Sequence, residues 1–233
     1  MWQAMTGFRL LSYNIRKAIG TDWRRDPQRV LEVVRELRPD IAILQEADRR
    51  LPPRPSALPL DVVQAAGFEA LRPAGAGPSL GWHGNAILVR PGISVERIEG
   101  IDLPGLEPRG ALAARLLLPG GALRVTGAHL GLLRRNRREQ LTALLGRAAD
   151  APEAAQIMAG DFNEWSRQEG LGRLARRFEI HAPGRSFHAS LPMAALDRIA
   201  TMGLVVRGGG VGGTALARKA SDHLPIWLDL DFA

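Results

Sequence analysis

The chain contains no cysteine, which excludes disulfides and thiolate-bound metals and points to a reducing compartment, the cytoplasm. Aromatic residues supply 5% of it, with a single tyrosine, a poor basis for a surface that stacks successive bases. No apolar run reaches the roughly 18 residues of a membrane span. The opening "MWQAMTGFRLLSYNIRK" lacks the basic and apolar regions of a secretory signal. A monomer with no transmembrane segment is therefore expected, with peripheral membrane contact left open. Acidic residues are outnumbered: 31 Lys and Arg against 24 Asp and Glu give a net charge of +7. Such a surface attracts polyanions, whether nucleic acid, phosphorylated metabolites or anionic lipid headgroups. Arginine-rich usage from a biased genome gives the same sum with no ligand at all.

What is present is enough for one sizeable core: 233 residues, 45% hydrophobic, read as a single domain spanning 1–233. Strands are expected at 8–15, 41–46, 85–90, 93–98, 110–118, 123–130, 155–160, 195–201 and 224–232. Helices are expected at 26–40, 59–66, 136–149 and 167–177. The first has Asp26 as N-cap, Pro27 at its first position, and Val30, Val33, Val34 and Leu37 on one face. Helices outside two packed sheets follow from this order of elements. The glycine-rich "GGGVGGT" (208–214) lacks the Lys-Ser/Thr and strand-to-helix context of a phosphate-binding loop, and reads as a flexible hairpin or loop.

The apolar strands end in polar residues. "LLSYNI" carries Asn14, "AILQE" ends at Glu46, "VTGAHL" at His129, "IMAGDFN" at Asp161 and Asn163, "ALDRI" carries Asp197, and "SDHLPI" opens with Asp222 and His223. One such residue has an ordinary explanation: an Asx turn, a hydrogen-bonded core histidine, or Glu46 paired with Arg49 or Arg50. Asp161 and Asn163 also suit a turn capping a helix from Ser166. The i, i+2 spacing on an extended segment points both to one side, where a carboxylate accepts a proton from water and an amide fixes that water or a phosphate oxygen.

Taken in order, "SYNI", "LQE", "HGNAIL", "AHLG", "GDFNEW", "LDRI" and "SDHLPI" resemble the endonuclease/exonuclease/phosphatase superfamily, the fold of deoxyribonuclease I, exonuclease III and neutral sphingomyelinase. The likeness runs from about residue 8 to 230 and is nearest to small bacterial members of undefined substrate. It implies an α/β fold, a four-layer α/β/β/α sandwich with the active site at one edge of the paired sheets. It implies hydrolysis of a phosphate ester with Mg²⁺ or Mn²⁺. By resemblance Glu46 is the principal metal ligand with Asn14 and Asp222 close by, and carboxylate oxygen is what Mg²⁺ prefers. Asp161 orients or deprotonates the nucleophile, and Asn163 contacts phosphate or water. Asp197 and His223 read as a carboxylate–imidazole pair, with His129 as a second donor on the leaving-group side. Asn85 either holds a phosphate oxygen or bridges backbone. Arg109 and the cluster "LLRRNRREQ", with Arg134 and Arg135, are candidates for substrate contact, the cluster being equally a solvated helix start.

The substrate class stays open at this level. A nucleic acid is suggested by the basic surface and the arginine cluster. A phospholipid or small phosphodiester is the alternative, with Trp82 and Trp165 bordering the pocket. A phosphate-binding module without turnover is a third, and the presence of Glu46, Asp161 and His223 weighs against it.

Overall fold

Alternation along the first strand decides the layering. In the computed structural model, which describes residues 7–49, 53–166 and 170–233, that strand is β1 (Phe8–Asn14). Its Leu11 and Tyr13 join one apolar cluster, its Phe8 and Leu10 another. After it come α1 (Pro27–Leu37), β2 (Ile41–Gln45), α2 (Leu60–Ala65), β3 (Glu69–Ala70), β4 (Ala86–Val89), β5 (Ser94–Leu103), β6 (Arg109–Leu118) and β7 (Gly121–His129). Then follow α3 (Arg134–Ala149), β8 (Ala155–Asp161), β9 (Glu179–His181), β10 (Asp197–Met202), β11 (Leu204–Val211), α4 (Ala215–Ala220) and β12 (Ile226–Phe232).

The strands form two six-stranded sheets, ordered β11-β12-β1-β2-β4-β3 and β5-β6-β7-β8-β10-β9. Leu10, Ile41, Ile43 and Ile87 of the first meet Leu112, Val125, Ile157 and Ile199 of the second in the layer between them. The outer face of the first sheet is covered by Val30, Val33 and Val34 of α1, Val63 of α2 and Ala217 and Ala220 of α4. Leu141, Leu144 and Ala148 of α3 cover the outer face of the second. This is the four-layer α/β/β/α sandwich. Asp26 caps α1, its side chain accepting from the Arg29 amide at 3.0 Å, as its position before Pro27 predicts.

Two expectations change. The glycines of "GGGVGGT" lie within and just beyond strand β11, where Gly208, Gly209 and Gly210 pair with Asp229, Leu228 and Trp227. A Cβ on Gly209 would sit 2.4 Å from Leu228 Cδ2, so the glycines admit the side chains of β12, and the stretch 208–210 carries no apolar signature to continue that of 204–206. The helix expected at 167–177 is reduced to a single 3₁₀ turn at Leu174–Arg176. Gly170 has φ 92°, which ends helical continuity, and residues 167–169 lie outside the described part, as do Arg50, Leu51 and Pro52. The short strands β3 and β9 and helix α4 had no clear pattern. No helix among the described residues is long and apolar enough to cross a membrane.

Candidate active site

The inter-sheet layer stays apolar until its last row. Stepping by two along β8 passes Ile157 and Ala159 and arrives at Asp161. The same step leads through Val125 to His129, back through Ile199 to Asp197, and through Leu10 to Asn14. Register brings these together: Asp161 lies beside His129 on its parallel neighbour and opposite Asp197 on its antiparallel one. The glycine of "GDFN" is required by this junction. Gly160 has φ 149°, and a Cβ there would lie 1.8 Å from the Ala128 carbonyl oxygen, a clash no side chain survives.

Asp161, only 2% exposed, is the hub. Its Oδ2 accepts from Asn14 Nδ2 of the other sheet at 3.0 Å and lies 3.5 Å from His129 Nε2 and 3.6 Å from His223 Nε2. Its Oδ1 accepts from the Asn163 amide at 3.0 Å, an Asx turn. Asn163 itself has φ 50°, and its Nδ2 donates to the Leu130 carbonyl at 2.8 Å. His223 Nδ1 is 2.9 Å from Asp197 Oδ2, which also accepts from Ser186 Oγ. The "SDH" segment is anchored through Ser221, whose hydroxyl donates to the Asn14 carbonyl at 2.7 Å. The Phe187 ring closes the outer side, 4.9 Å from that of His223.

Burial and charge divide the two histidines. Burial lowers His223, yet the charge and hydrogen bond of Asp197, with Asp161 and Asp222, outweigh it and raise the pKa to about 9. Burial lowers His129 to about 4 against the pull of Asp161, assisted by Arg109, His223 and Lys17. At neutral pH the first is an imidazolium and the second a neutral ring. Burial pushes Asp161 up, but His129, His223, the Asn163 amide and Asn14 prevail and hold it below the ordinary carboxylate value. Burial and Asp161 raise Asp197 against His223 and Ser186. A raised histidine contributes stability that is complete below its unfolded pKa of about 6.5 and is lost as pH rises through about 9. The shift corresponds to of order 3 kcal/mol. Thermal melts should therefore show His223→Gln well below wild type at pH 6 and close to it at pH 10. A gap independent of pH would remove the imidazolium from the site.

Asp161, Asp197 and His223 bring ligand atoms within 4.8 Å of one another, with both ring nitrogens of His223 facing carboxylates. The donors expected from sequence, Glu46, Asn14 and Asp222, are all hard oxygen. Glu46, at φ 53°, holds a carboxylate that pairs with the Lys17 ammonium. Asp222 Oδ2 lies 3.4 Å from Arg16 Nε, and Asn14 Oδ1 accepts from the Arg16 amide at 3.1 Å. Cationic side chains face the two carboxylates, Lys17 that of Glu46 and Arg16 that of Asp222, and hard oxygen donors of this kind suit Mg²⁺ or Mn²⁺.

The remaining candidates scatter. Asn85 bridges backbone, its Nδ2 donating to Gly110 O at 2.9 Å and Trp82 O at 3.2 Å, while its Oδ1 is buried without a partner among the described residues. Arg109 stands on the rim, paired with Glu107 at 2.8 Å. Arg134 and Arg135 open α3, the latter exposed and paired with Glu139 at 3.1 Å. Lys17, Ser186 and Phe187 were not singled out from sequence. Lys17 had a signal, standing three residues after Asn14, whereas Ser186 and Phe187 had none.

A family model described as "Endonuclease/Exonuclease/phosphatase family" matches residues 11–223. "Uncharacterized protein YbhP" of Escherichia coli is 34% identical over 161 residues, covering 63% of this chain and 62% of that protein, so the match spans less than two thirds of the relative. An endonuclease/exonuclease/phosphatase from Beutenbergia cavernae superposes with a TM-score of 0.76 at 22% identity, covering 98% of this chain and 72% of that one. D. rerio TDP2 complexed with a single strand DNA product gives 0.73 at 18% identity, covering 97% and 99%. The last two likenesses concern the fold alone. With the match running from the first strand to His223, the chain belongs to the Endonuclease/Exonuclease/phosphatase family.

Proposed function

We propose that residues 1–233 form one catalytic unit, a divalent-metal-dependent phosphoesterase in which Asp161 orients the attacking water and takes its proton. Members of the family are generally hydrolases of phosphoester bonds. The observation that carries the reading is the setting of Asp161: an ionised carboxylate deep in the sandwich, approached by Asn14, the Asn163 amide and both histidines. A base held so firmly needs no reorganisation when water is delivered.

The imidazolium of His223, fixed through Nδ1 by Asp197, offers its Nε2 proton to a phosphoryl oxygen as charge builds there. His129, neutral and across the same carboxylate, donates a hydrogen bond on the leaving-group side. Asn163 holds the turn that shapes Asp161, so its contribution is to position that carboxylate. Glu46, Asn14 and Asp222 would hold Mg²⁺ or Mn²⁺, which when bound would supply Lewis-acid polarisation of the phosphate. Arg109, Arg134 and Arg135 are the cations proposed to meet substrate charge. A nucleic acid is one substrate of matching charge, supported by the net charge of +7.

The test is hydrolysis, with each metal, of plasmid and single-stranded DNA, RNA, phospholipids, inositol phosphates and a generic phosphodiester, with Asp161→Asn as control. At least one should be cleaved by the wild type and not by the variant; equal rates would leave only a contaminant or a phosphate-binding module. Glu46→Gln should raise the metal concentration for half-maximal rate at least tenfold. An unchanged titration would move the metal elsewhere.

A further inference from the structure

Among the described residues, most of the large apolar side chains left in solvent lie in the loops that follow or precede the site residues. Leu106 follows β5, Leu132 and Leu133 follow His129, Trp165 follows Asn163, and Leu191 and Met193 lie in the loop before Asp197. Their exposure runs from 56% for Leu133 to 86% for Leu106. Trp23 and Leu60 are exposed at 77% and 40% in the segments after β1 and β2, and Leu117 and Val205 at the opposite strand ends at 38% and 36%. Side chains of this size, grouped around a cleft rather than scattered, mark a surface meant to be covered.

These loops are braced to each other. Gln140 ties two of them, its Nε2 donating to the Pro104 carbonyl at 3.0 Å and its Oε1 accepting from the Gly131 amide at 2.8 Å. Arg137, buried, donates to the Leu132 carbonyl at 2.6 Å and to Glu164 at 3.0 Å, joining the second loop to the one bearing Trp165. Trp165 meets Phe187 edge to face at 6.2 Å. Phe187 in turn accepts through its carbonyl from the Met193 amide at 2.7 Å. The apolar tips are thus displayed on a fixed frame whose inner end touches His223.

Beside the Leu132–Leu133 tip, Arg134, Arg135, Arg138 and Arg173 line a groove of about 670 Å³ in which Glu139 is the only acid. Apolar tips next to guanidinium groups, on a chain of net charge +7, match the boundary of an anionic bilayer: the tips enter the acyl region while the arginines meet headgroup phosphates. Nucleic acid satisfies the arginines and leaves the tips in water, and a protein partner gives the net charge no task. Building on the phosphoesterase reading, we propose that the catalytic edge docks on an anionic lipid surface and acts on a phosphoester presented there.

Co-sedimentation with vesicles of phosphatidylcholine alone, and of phosphatidylcholine with one third phosphatidylglycerol, tests this. Wild type and Asp161→Asn should bind the anionic vesicles alike and the neutral ones at least tenfold more weakly. The double variants Leu132→Ser/Leu133→Ser and Leu191→Ser/Met193→Ser, with unchanged thermal melting, should each lose at least tenfold in partitioning. No binding to anionic vesicles, or binding untouched by both double variants, overturns the proposal. So does a dimer in analytical ultracentrifugation that both double variants abolish, or retention of the chain on DNA in place of vesicles. Because Asp161→Asn keeps the docking surface, a protein that hydrolyses nothing yet binds these vesicles fails as a phosphoesterase and stands as a lipid-surface protein. One that hydrolyses soluble phosphodiesters and ignores vesicles does the reverse.

Discussion

Asp161→Asn should lower kcat on the best substrate by about a thousandfold or more, in a variant that still folds but melts below wild type. General-base positioning alone contributes roughly 10²–10⁴-fold, and here one substitution removes more than the base. The same carboxylate is among the charges that raise His223 to about 9, so its loss also weakens the imidazolium proposed to meet the phosphoryl oxygen. The asparagine is nearly isosteric and keeps a carbonyl oxygen for the Asn163 amide, but it turns an amide nitrogen toward the Asn14 Nδ2 donor, so some stability is lost while the fold is kept. Steady-state kinetics beside circular-dichroism melts separate the two effects. A variant within tenfold of wild-type kcat would exclude Asp161 from the reaction.

Arg137→Ala should cost the fold about 3–5 kcal/mol, the scale for stripping one partner from a buried ion pair. The side chains of Arg137 and Glu164 are 9% and 7% exposed and 3.0 Å apart. Truncation leaves the Glu164 carboxylate with less compensation and takes the donor from the Gly131 and Leu132 carbonyls. Urea titration should show the loss in the midpoint. Replacing both partners, as Arg137→Leu/Glu164→Leu, should recover part of it, because the remaining charge goes too. A single-variant cost below about 1 kcal/mol would mean that the pair behaves as a surface one.

Arg137 also shows where reading the sequence fails. In "LLRRNRREQ" every arginine has the same claim to the surface, and helical spacing alone does not reveal that one of them turns inward to a glutamate 27 residues away. Long-range charge pairing leaves no local trace, and the same holds for Lys17 on Glu46 and for Ser186 on Asp197. The strands were legible where β-branched and aliphatic residues run, as in "IAILQE" and "QIMAG". They were lost in β11, where "LVV" is too short to signal a strand alone and glycine removes the side chains that would continue the pattern. Asn14, His129, Asp161 and Asp197 were legible for a physical reason: each is a polar residue at the end of an apolar strand on its inward face, breaking a pattern that aliphatic packing otherwise enforces, whereas His223 lies in the segment before β12 and was carried by the resemblance of "SDH". The braces of the rim, with Gln140 between two loops and Phe187 against His223, depend on loop conformations that no periodicity encodes.

The strand order carries a consequence for the timing of assembly. Residues 94–202 make up the whole of the second sheet, whereas the first is shared between the early strands and the final pair, with β12 lodged between β11 and β1. A nascent chain can therefore complete the second sheet while the flank of β1 still waits for the segment that delivers His223. A polypeptide released from the ribosome before that segment is made carries Asp161 and His129 without the histidine that faces them.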